Sequence, residues 1–206
     1  MFSGIVETQS PILSARPRPG VVEIHIKRPS DFNDLSIGES ICVDGVCLTI
    51  ESFDQEKMVF ALAAETLQVT GWSLAELPSK TVNLERSLAF GARVHGHLVT
   101  GHVEGLGRVM RFSQDGEIAF LKIGFPEQLA PYFWRKGSVA INGVSLTINR
   151  VEGNSLEVCL IPETLKRTNL GGLSSQGTVN LEVDPFARGV VETSRFFFEQ
   201  HQQEQN

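Results

Sequence analysis

The chain has 206 residues, of which 41% are hydrophobic and 20% charged, with a formal net charge of -6 and a pI near 5.4. This is an ordinary globular composition for one large or two small domains, and its acidity argues against nucleic acid as the main partner, because phosphate binding draws on basic patches. No apolar run approaches the roughly 20 residues that span a bilayer, and the opening MFSGIVE lacks the basic and apolar regions of a signal peptide, so no membrane association and a cytoplasmic location are expected. Cys42, Cys47 and Cys159 show no CxxC spacing, and read as reduced thiols rather than as a disulfide framework or a zinc site.

Taken in chain order, the sequence is one unit written twice. It opens with Gly4-Ile5-Val6-Glu7. In Ser40–Ile50, SICVDGVCLTI, β-branched and apolar residues flank Asp44-Gly45, a pair suited to a type I′ hairpin turn because both positions take positive φ. Met58–Leu62 reads as a short strand, followed by Glu65-Thr66-Leu67, Thr70, a short helical pattern at Leu74–Leu77, and Asn83-Leu84-Glu85. The series restarts at Gly101-His102-Val103-Glu104. A longer helical pattern falls at Pro126–Trp134, and Ser138–Ile148, SVAINGVSLTI, repeats the hairpin with Asn142-Gly143 at its turn. Ser155–Ile161, Glu163-Thr164-Leu165, Thr168 and Asn180-Leu181-Glu182 complete the copy. A period near half the chain is too long for a solenoid and indicates a duplicated small domain, with a first unit over 1–97 and a second over 98–189. Short strands, punctuated by Gly38, Gly71, Gly91, Gly107, Gly116 and Gly153 as turn residues, suggest an all-β barrel in each unit.

The tail, 190–206, has no counterpart in the first unit. Val190–Glu204 contains neither Gly nor Pro, and Val191, Ser194 and Phe198 fall at heptad-like spacing. A helix is expected, packed on its own barrel or associated with copies of itself. Its Glu- and Gln-rich polar positions disfavour a membrane-surface helix, and the final HQQEQN is expected to be disordered.

Two like units can hold two like ligands. Cys47 and Thr49 are two apart and share a strand face, and Ser145 and Thr147 occupy the same face in the second unit. The variable position of the Gly-x-Val-Glu element is Ile5 in one copy and His102 in the other. The two sites are therefore built alike but carry different chemistry, which a reaction between two copies of one molecule requires, since one must donate and the other accept. The plainer alternatives are a buried structural thiol at Cys47 and a structural or surface histidine at 102.

Several long motifs in order, MFSGIVE, SICVDGVCLTI, HLVTGHVEG, KGSVAINGVSLTI, LIPETLKRTNL and VNLEVDP, resemble the riboflavin synthase family of lumazine-binding double barrels, over nearly the whole chain. The resemblance implies two tandem six-stranded antiparallel barrels and a C-terminal helix that organises a homotrimer, with lumazine synthase as a further partner. It implies a cofactor-free, metal-free transferase that converts two molecules of 6,7-dimethyl-8-ribityllumazine into riboflavin and 5-amino-6-(ribitylamino)uracil, between the first barrel of one subunit and the second barrel of another. Carried onto this sequence, Cys47 becomes a nucleophile or a stabiliser of the added ligand. His102 becomes the proton-transfer group, and Ser145 and Thr147 bind and polarise the second ligand, with Ser145 assisting proton movement. Ser40 is a supporting hydroxyl, and Lys136 and Asp184 act on the ribityl chain or the interface. Gly4, Ile5, Val6, Leu48, Leu62, Ala63, Ala64, Thr66, Gly101, Val103, Leu146, Ile161, Pro162 and Thr164 line the pockets, and Phe2 covers the reacting pair.

One departure is His95-Gly96-His97, where the family pattern is Gly-Gly-His. A bulkier residue at 95 is expected to reshape the turn between the barrels. The His-x-His pair, with His102 near in sequence, also raises a zinc alternative that lacks a clear third ligand. Two rival functions are a non-catalytic lumazine or flavin carrier, against which the full reactive set argues, and a flavin oxidoreductase, for which no GxGxxG follows a strand.

Overall fold

The computed structural model describes residues 1–204. The first unit contains β1 (Thr8–Arg18), β2 (Val21–Lys27), β3 (Ser40–Val43), β4 (Val46–Phe53), β5 (Lys57–Ala63), α1 (Ala64–Thr70) and β6 (Thr81–Arg86). The second contains β7 (Gly105–Asp115), β8 (Ile118–Gly124), β9 (Ser138–Ile141), β10 (Val144–Glu152), β11 (Ser155–Leu160), α2 (Pro162–Arg167) and β12 (Thr178–Val183), and α3 (Pro185–Glu204) follows. The strands close into two antiparallel barrels, ordered β1-β2-β5-β4-β3-β6 and β7-β8-β11-β10-β9-β12. The second order is the first with six added to each strand. Bulges recur in matching places, at Ile12/Ser14 and Ile50/Ser52 in one barrel and at Val109/Arg111 and Ile148/Arg150 in the other. Such bulges supply the bending a small barrel needs.

Alternation of side chains explains both cores. In β4, Val46, Leu48 and Ile50 point inward while Cys47 and Thr49 point outward; in β10, Val144, Leu146 and Ile148 point inward while Ser145 and Thr147 do not. The two turns take the expected left-handed backbone, with φ of 46° and 85° at Asp44-Gly45 and 47° and 77° at Asn142-Gly143. Leu48 and Leu146 are thus core residues, 4% and 8% exposed, and only their backbone is available to a ligand.

The barrels meet about a pseudo-twofold axis. Gly45 and Gly143 face each other so closely that a Cβ on Gly45 would lie 2.8 Å from the Gly143 nitrogen. Phe2 and Val99 form an antiparallel bridge, with N–H to carbonyl distances of 2.8 and 3.0 Å. Phe2, Cys42, Val99 and Ala140 pack together there, with Cys47 against them. Phe2 is wholly buried, so it does not cover a reacting pair. It wedges the barrels together and fixes the segment that follows it.

The Asn-Leu-Glu motifs have a physical role. Leu84 and Leu181 enter the cores, while Asn83 donates to the Asn142 carbonyl (3.0 Å) and Asn180 to the Asp44 carbonyl (2.8 Å), tying each barrel to the other's turn. Asn169 adds an asymmetric link, donating to Asp44 Oδ1 at 2.8 Å.

Local structure departs from expectation in several places. Gly107 lies inside β7 rather than in a turn, because a Cβ there would meet Ile123 at 2.5 Å. Pro126–Trp134 contains only a 3-10 turn, Glu127–Tyr132, interrupted by Pro131, and Leu74–Leu77 gives way to a 3-10 turn at Leu77–Ser79. The helices α1 and α2 are too short to leave a periodic pattern; each ends with a threonine hydroxyl, Thr70 or Thr168, donating 2.7 Å to a carbonyl one turn back. The tail helix begins at Pro185, where proline suits the first turn, and continues through His201–Glu204, which were expected to be disordered. Residues 205 and 206 of that stretch lie outside the described residues. Among the described residues no helix is long and apolar enough to cross a membrane.

Burial pushes the Asp44 carboxyl up from 3.8 to about 7, against the opposing hydrogen bonds from the Asn83 N–H and the Asn169 side chain. A carboxyl raised by folding contributes stability that is full below its ordinary value and lost as pH rises through its folded value, so the window runs from 3.8 to about 7. Linkage of this size is worth up to about 4 kcal/mol. Asp44→Asn, the side chain that Asn142 carries at the matching turn, is expected to lose less stability between pH 5 and pH 8 in denaturant titrations. An unchanged pH slope would contradict this.

Candidate active site

The outer face of each β-hairpin carries the residues singled out from sequence. In the first barrel Ser40 stands opposite Thr49, and Cys42 opposite Cys47. In the second, Ser138 stands opposite Thr147, and Ala140 opposite Ser145. Ser138 was not singled out, although its match with Ser40 in the repeat is visible. The register Ile50↔Phe60, extended, brings Leu62 level with Leu48, so that Ala63 and Ala64 flank the first face; Ile148↔Val158 similarly brings Ile161 and Pro162 beside the second. Ala63, Ala64, Thr49, Thr147, Ile161 and Pro162 are exposed, with Thr66 and Thr164 half-buried behind them, so both faces are open. Leu62 itself is buried in the first core.

Each lead-in segment crosses to the other barrel. The Gly101 carbonyl accepts the Cys47 N–H at 2.8 Å, and the Gly4 carbonyl accepts the Ser145 N–H at 2.8 Å. Val103, from the second unit, packs on the first core, whereas Val6, from the first unit, belongs to the second core. Gly4 and Gly101 have φ of 72° and 82°, and a Cβ on either would lie 2.5 Å from the Cβ of Ser145 or Cys47. Positive φ and this approach together require glycine.

Buried glutamates hold the two segments. Glu85 accepts the N–H groups of Ser3 (2.7 Å) and Gly4 (3.0 Å) and the Ser3 hydroxyl (2.8 Å). Glu182 does the same for Thr100 (2.6 Å and 2.8 Å) and Gly101 (2.9 Å). Burial raises both carboxyls, and these bonds pull them back toward the ionised form.

The crossing decides which chemistry shares a face. His102, exposed, joins Cys47 on the first barrel, and Ile5, exposed, joins Ser145 on the second. The second face also has a histidine that the repeat comparison missed. His97 Nδ1 and Ser145 Oγ share a hydrogen bond of 2.6 Å. His97 lies ahead of the first motif matched between the units, Gly4-Ile5-Val6-Glu7 with Gly101-His102-Val103-Glu104, so their comparison does not reach it. Burial lowers the His97 pKa, partly opposed by the charge of Asp184, and its Nε2 is buried without a partner among the described residues.

Lys136 sits at the open end of the second hairpin, away from its turn, its N–H donating to the Ile148 carbonyl at 2.8 Å. Its φ is 72°, in a place where the first unit has Gly38, φ 89°. A non-glycine residue held there is a mark of a constrained site. Asp184 caps α3 by accepting the Phe186 N–H at 2.9 Å. His95 is exposed and, with Ile5 and Arg93, lines an open cavity of ≈ 470 Å³. Among the described residues no three of His, Cys, Asp or Glu gather as metal ligands, and His97 and His102 serve different barrels.

The lumazine binding domain model matches twice, over residues 3–87 and 100–184. Riboflavin synthase of Actinobacillus pleuropneumoniae is 36% identical over 185 residues, covering 89% of this chain and 85% of the relative. The enzyme of Brucella abortus is 32% identical over 204 residues, covering 95% and 99%. In structure, LumP complexed with riboflavin aligns with a TM-score of 0.81 at 24% identity, covering 89% of this chain and 99% of that one. LumP complexed with 6,7-dimethyl-8-(1'-D-ribityl) lumazine gives 0.79 at 23%. At these identities the structural likeness is one of fold. Two matched barrels in the right order, and relatives aligned over nearly their full length, place the chain in the riboflavin synthase family of duplicated lumazine-binding domains.

Proposed function

We propose that the chain is a transferase that dismutates two molecules of 6,7-dimethyl-8-ribityllumazine to riboflavin and 5-amino-6-(ribitylamino)uracil, without cofactor or metal. The observation that carries this reading is the crossing of the lead-in segments. It supplies two faces of one design with unlike chemistry, Cys47 with His102 on one and Ser145 with His97 on the other.

One lumazine lies on each face. On the first-barrel face Cys47 adds to the ring or stabilises an added water, and His102 moves the proton. On the second-barrel face the acidic C7 methyl gives up its proton to the Ser145–His97 pair. Burial favours the neutral imidazole there, which can accept a proton. Thr49 and Thr147, with Ser40 in support, hydrogen-bond the heterocycles, and Lys136 and Asp184 engage the ribityl chain or the partner. Attack of this carbanion on the first-face lumazine and fragmentation of the adduct transfer a four-carbon unit to the second-face lumazine, which becomes riboflavin, while 5-amino-6-(ribitylamino)uracil leaves from the first. Holding two stacked reactants in register contributes on the order of 7–11 kcal/mol of the barrier reduction.

The two faces meet across copies, in a cytoplasmic homotrimer gathered by α3, with lumazine synthase as a further partner. The first half of α3 docks on its own barrel through Ala187, Val191 and the Glu192–Tyr132 hydrogen bond. The second half presents Phe196, Phe197 and Phe198 at 57%, 55% and 74% exposure. Three consecutive residues fan over about 200° of a helix, so exposed aromatics in such a run favour several partners rather than one barrel surface.

Incubation with 6,7-dimethyl-8-ribityllumazine and a chelator is expected to yield one riboflavin for two lumazines consumed; tight binding without riboflavin would make the protein a carrier. His102→Gln is expected to lower kcat about 100-fold, the low end of general acid–base contributions, and Cys47→Ser to lower it as well. Full turnover in both would remove these roles. Replacement of Phe196, Phe197 and Phe198 by serine is expected to lower the mass in sedimentation equilibrium from three chains toward one, with the barrels still folded by circular dichroism; an unchanged mass would place the association elsewhere.

A further inference from the structure

Cys42 takes no part in the proposed reaction, yet it stands directly across the hairpin from Cys47. Opposed residues of an antiparallel pair share a face, and Cys47 packs against the buried cluster that contains Cys42. The Cys47 N–H leaves the hairpin to reach the Gly101 carbonyl, which marks the two cysteines as a non-hydrogen-bonded pair. Such pairs have Cα atoms about 4.5 Å apart, inside the span of about 4.4–6.8 Å that a disulfide bridges. All three cysteines are free thiols.

We propose that Cys42 and Cys47 form a modification site, in which peroxide joins them in a cross-strand disulfide that removes the Cys47 thiol from the first-barrel face. Cys47, half-buried at the edge of an open face, is the sulfur that peroxide reaches. Its thiolate attacks one peroxide oxygen, the O–O bond breaks, and the second oxygen leaves as water after taking a proton, giving a sulfenic acid at Cys47. The Cys42 sulfur then attacks the Cys47 sulfur; the S–O bond breaks, and hydroxide leaves as water with the Cys42 proton. Two thiols are oxidised by two electrons and one peroxide is reduced to two waters. Burial pushes the Cys42 thiol well up, which keeps it from reacting with peroxide itself and casts it as the resolving partner.

The second barrel has no equivalent, since Ala140 and Ser145 occupy the matching positions. Oxidation therefore disables one face and spares the other. Room for the Cys42 sulfur comes from a glycine, as a Cβ on Gly143 would lie 3.2 Å from it. The cross-link requires no assumption about the reaction, whereas its effect on turnover rests on the proposed function.

The test treats the reduced full-length protein with hydrogen peroxide, then counts alkylatable thiols after denaturation, measures intact mass, and assays lumazine turnover in parallel. Expected are a fall from three reactive thiols to one, loss of two hydrogens with no added oxygen, and a drop in turnover that dithiothreitol reverses. Cys42→Ala, the residue found at position 140, is expected to keep the turnover of the reduced wild type and to gain oxygen at Cys47 instead of losing two hydrogens. Wild-type protein that gains oxygen without cross-linking, or that cross-links with turnover unchanged, would overturn the proposal. Absence of turnover in the reduced protein would count against the proposed function, while the thiol count and mass would still decide the cross-link.

Discussion

The structure depends on two backbone contacts with no room for a side chain between them: Gly101 against Cys47, and Gly4 against Ser145. Each is a close approach at positive φ, closed by a 2.8 Å hydrogen bond from the hairpin strand to the crossing segment. Because the contacts exchange segments between barrels, neither barrel completes its own outer face. The duplication thereby becomes one mechanical unit, and the residue after each glycine, Ile5 or His102, is delivered to the face of the other unit.

The segments would not stay in place without the buried acids. Glu85 and Glu182 each satisfy two backbone N–H groups and a hydroxyl that would otherwise be stranded. Hydrogen bonds to a charged group contribute roughly 1.5–3 kcal/mol each, and a stranded buried donor costs a comparable amount. This is why two carboxylates persist in an apolar interface. The asymmetry is laid over this symmetric frame in a few side chains: thiol against hydroxyl, His102 against Ile5, and His97 bonded to Ser145. A dismutation asks for this combination, since identical ligands need similar beds and opposite treatment.

Much of this was legible in the sequence because the repeat and the hairpin obey local rules. Asp44-Gly45 and Asn142-Gly143 announce their turns, and alternation along Val46–Ile50 separates core from face. What stayed hidden depends on three-dimensional neighbours. Phe2 reads as a free aromatic near the start, and only the bridge to Val99 shows it buried. Gly107 reads as a turn because nothing local reveals that Ile123 fills the space of its side chain. The His97–Ser145 bond spans 48 residues, and a comparison of the matched motifs does not reach a residue that lies outside them. The exchange of segments is equally invisible, since the repeat gives matching residues but not which barrel each one serves.

The most direct test is complementation between impaired chains, unfolded together and refolded as mixed assemblies. If the crossing is right, Cys47 and His102 belong to one half-site and Ser145 to the other, and a productive site joins halves from two copies. Mixing His102→Gln with Ser145→Ala chains is then expected to restore turnover, because one intact half comes from each. Mixing Cys47→Ser with His102→Gln chains is expected to restore none, since both lack the same half. Recovery in the second mixture, or in neither, would contradict the account.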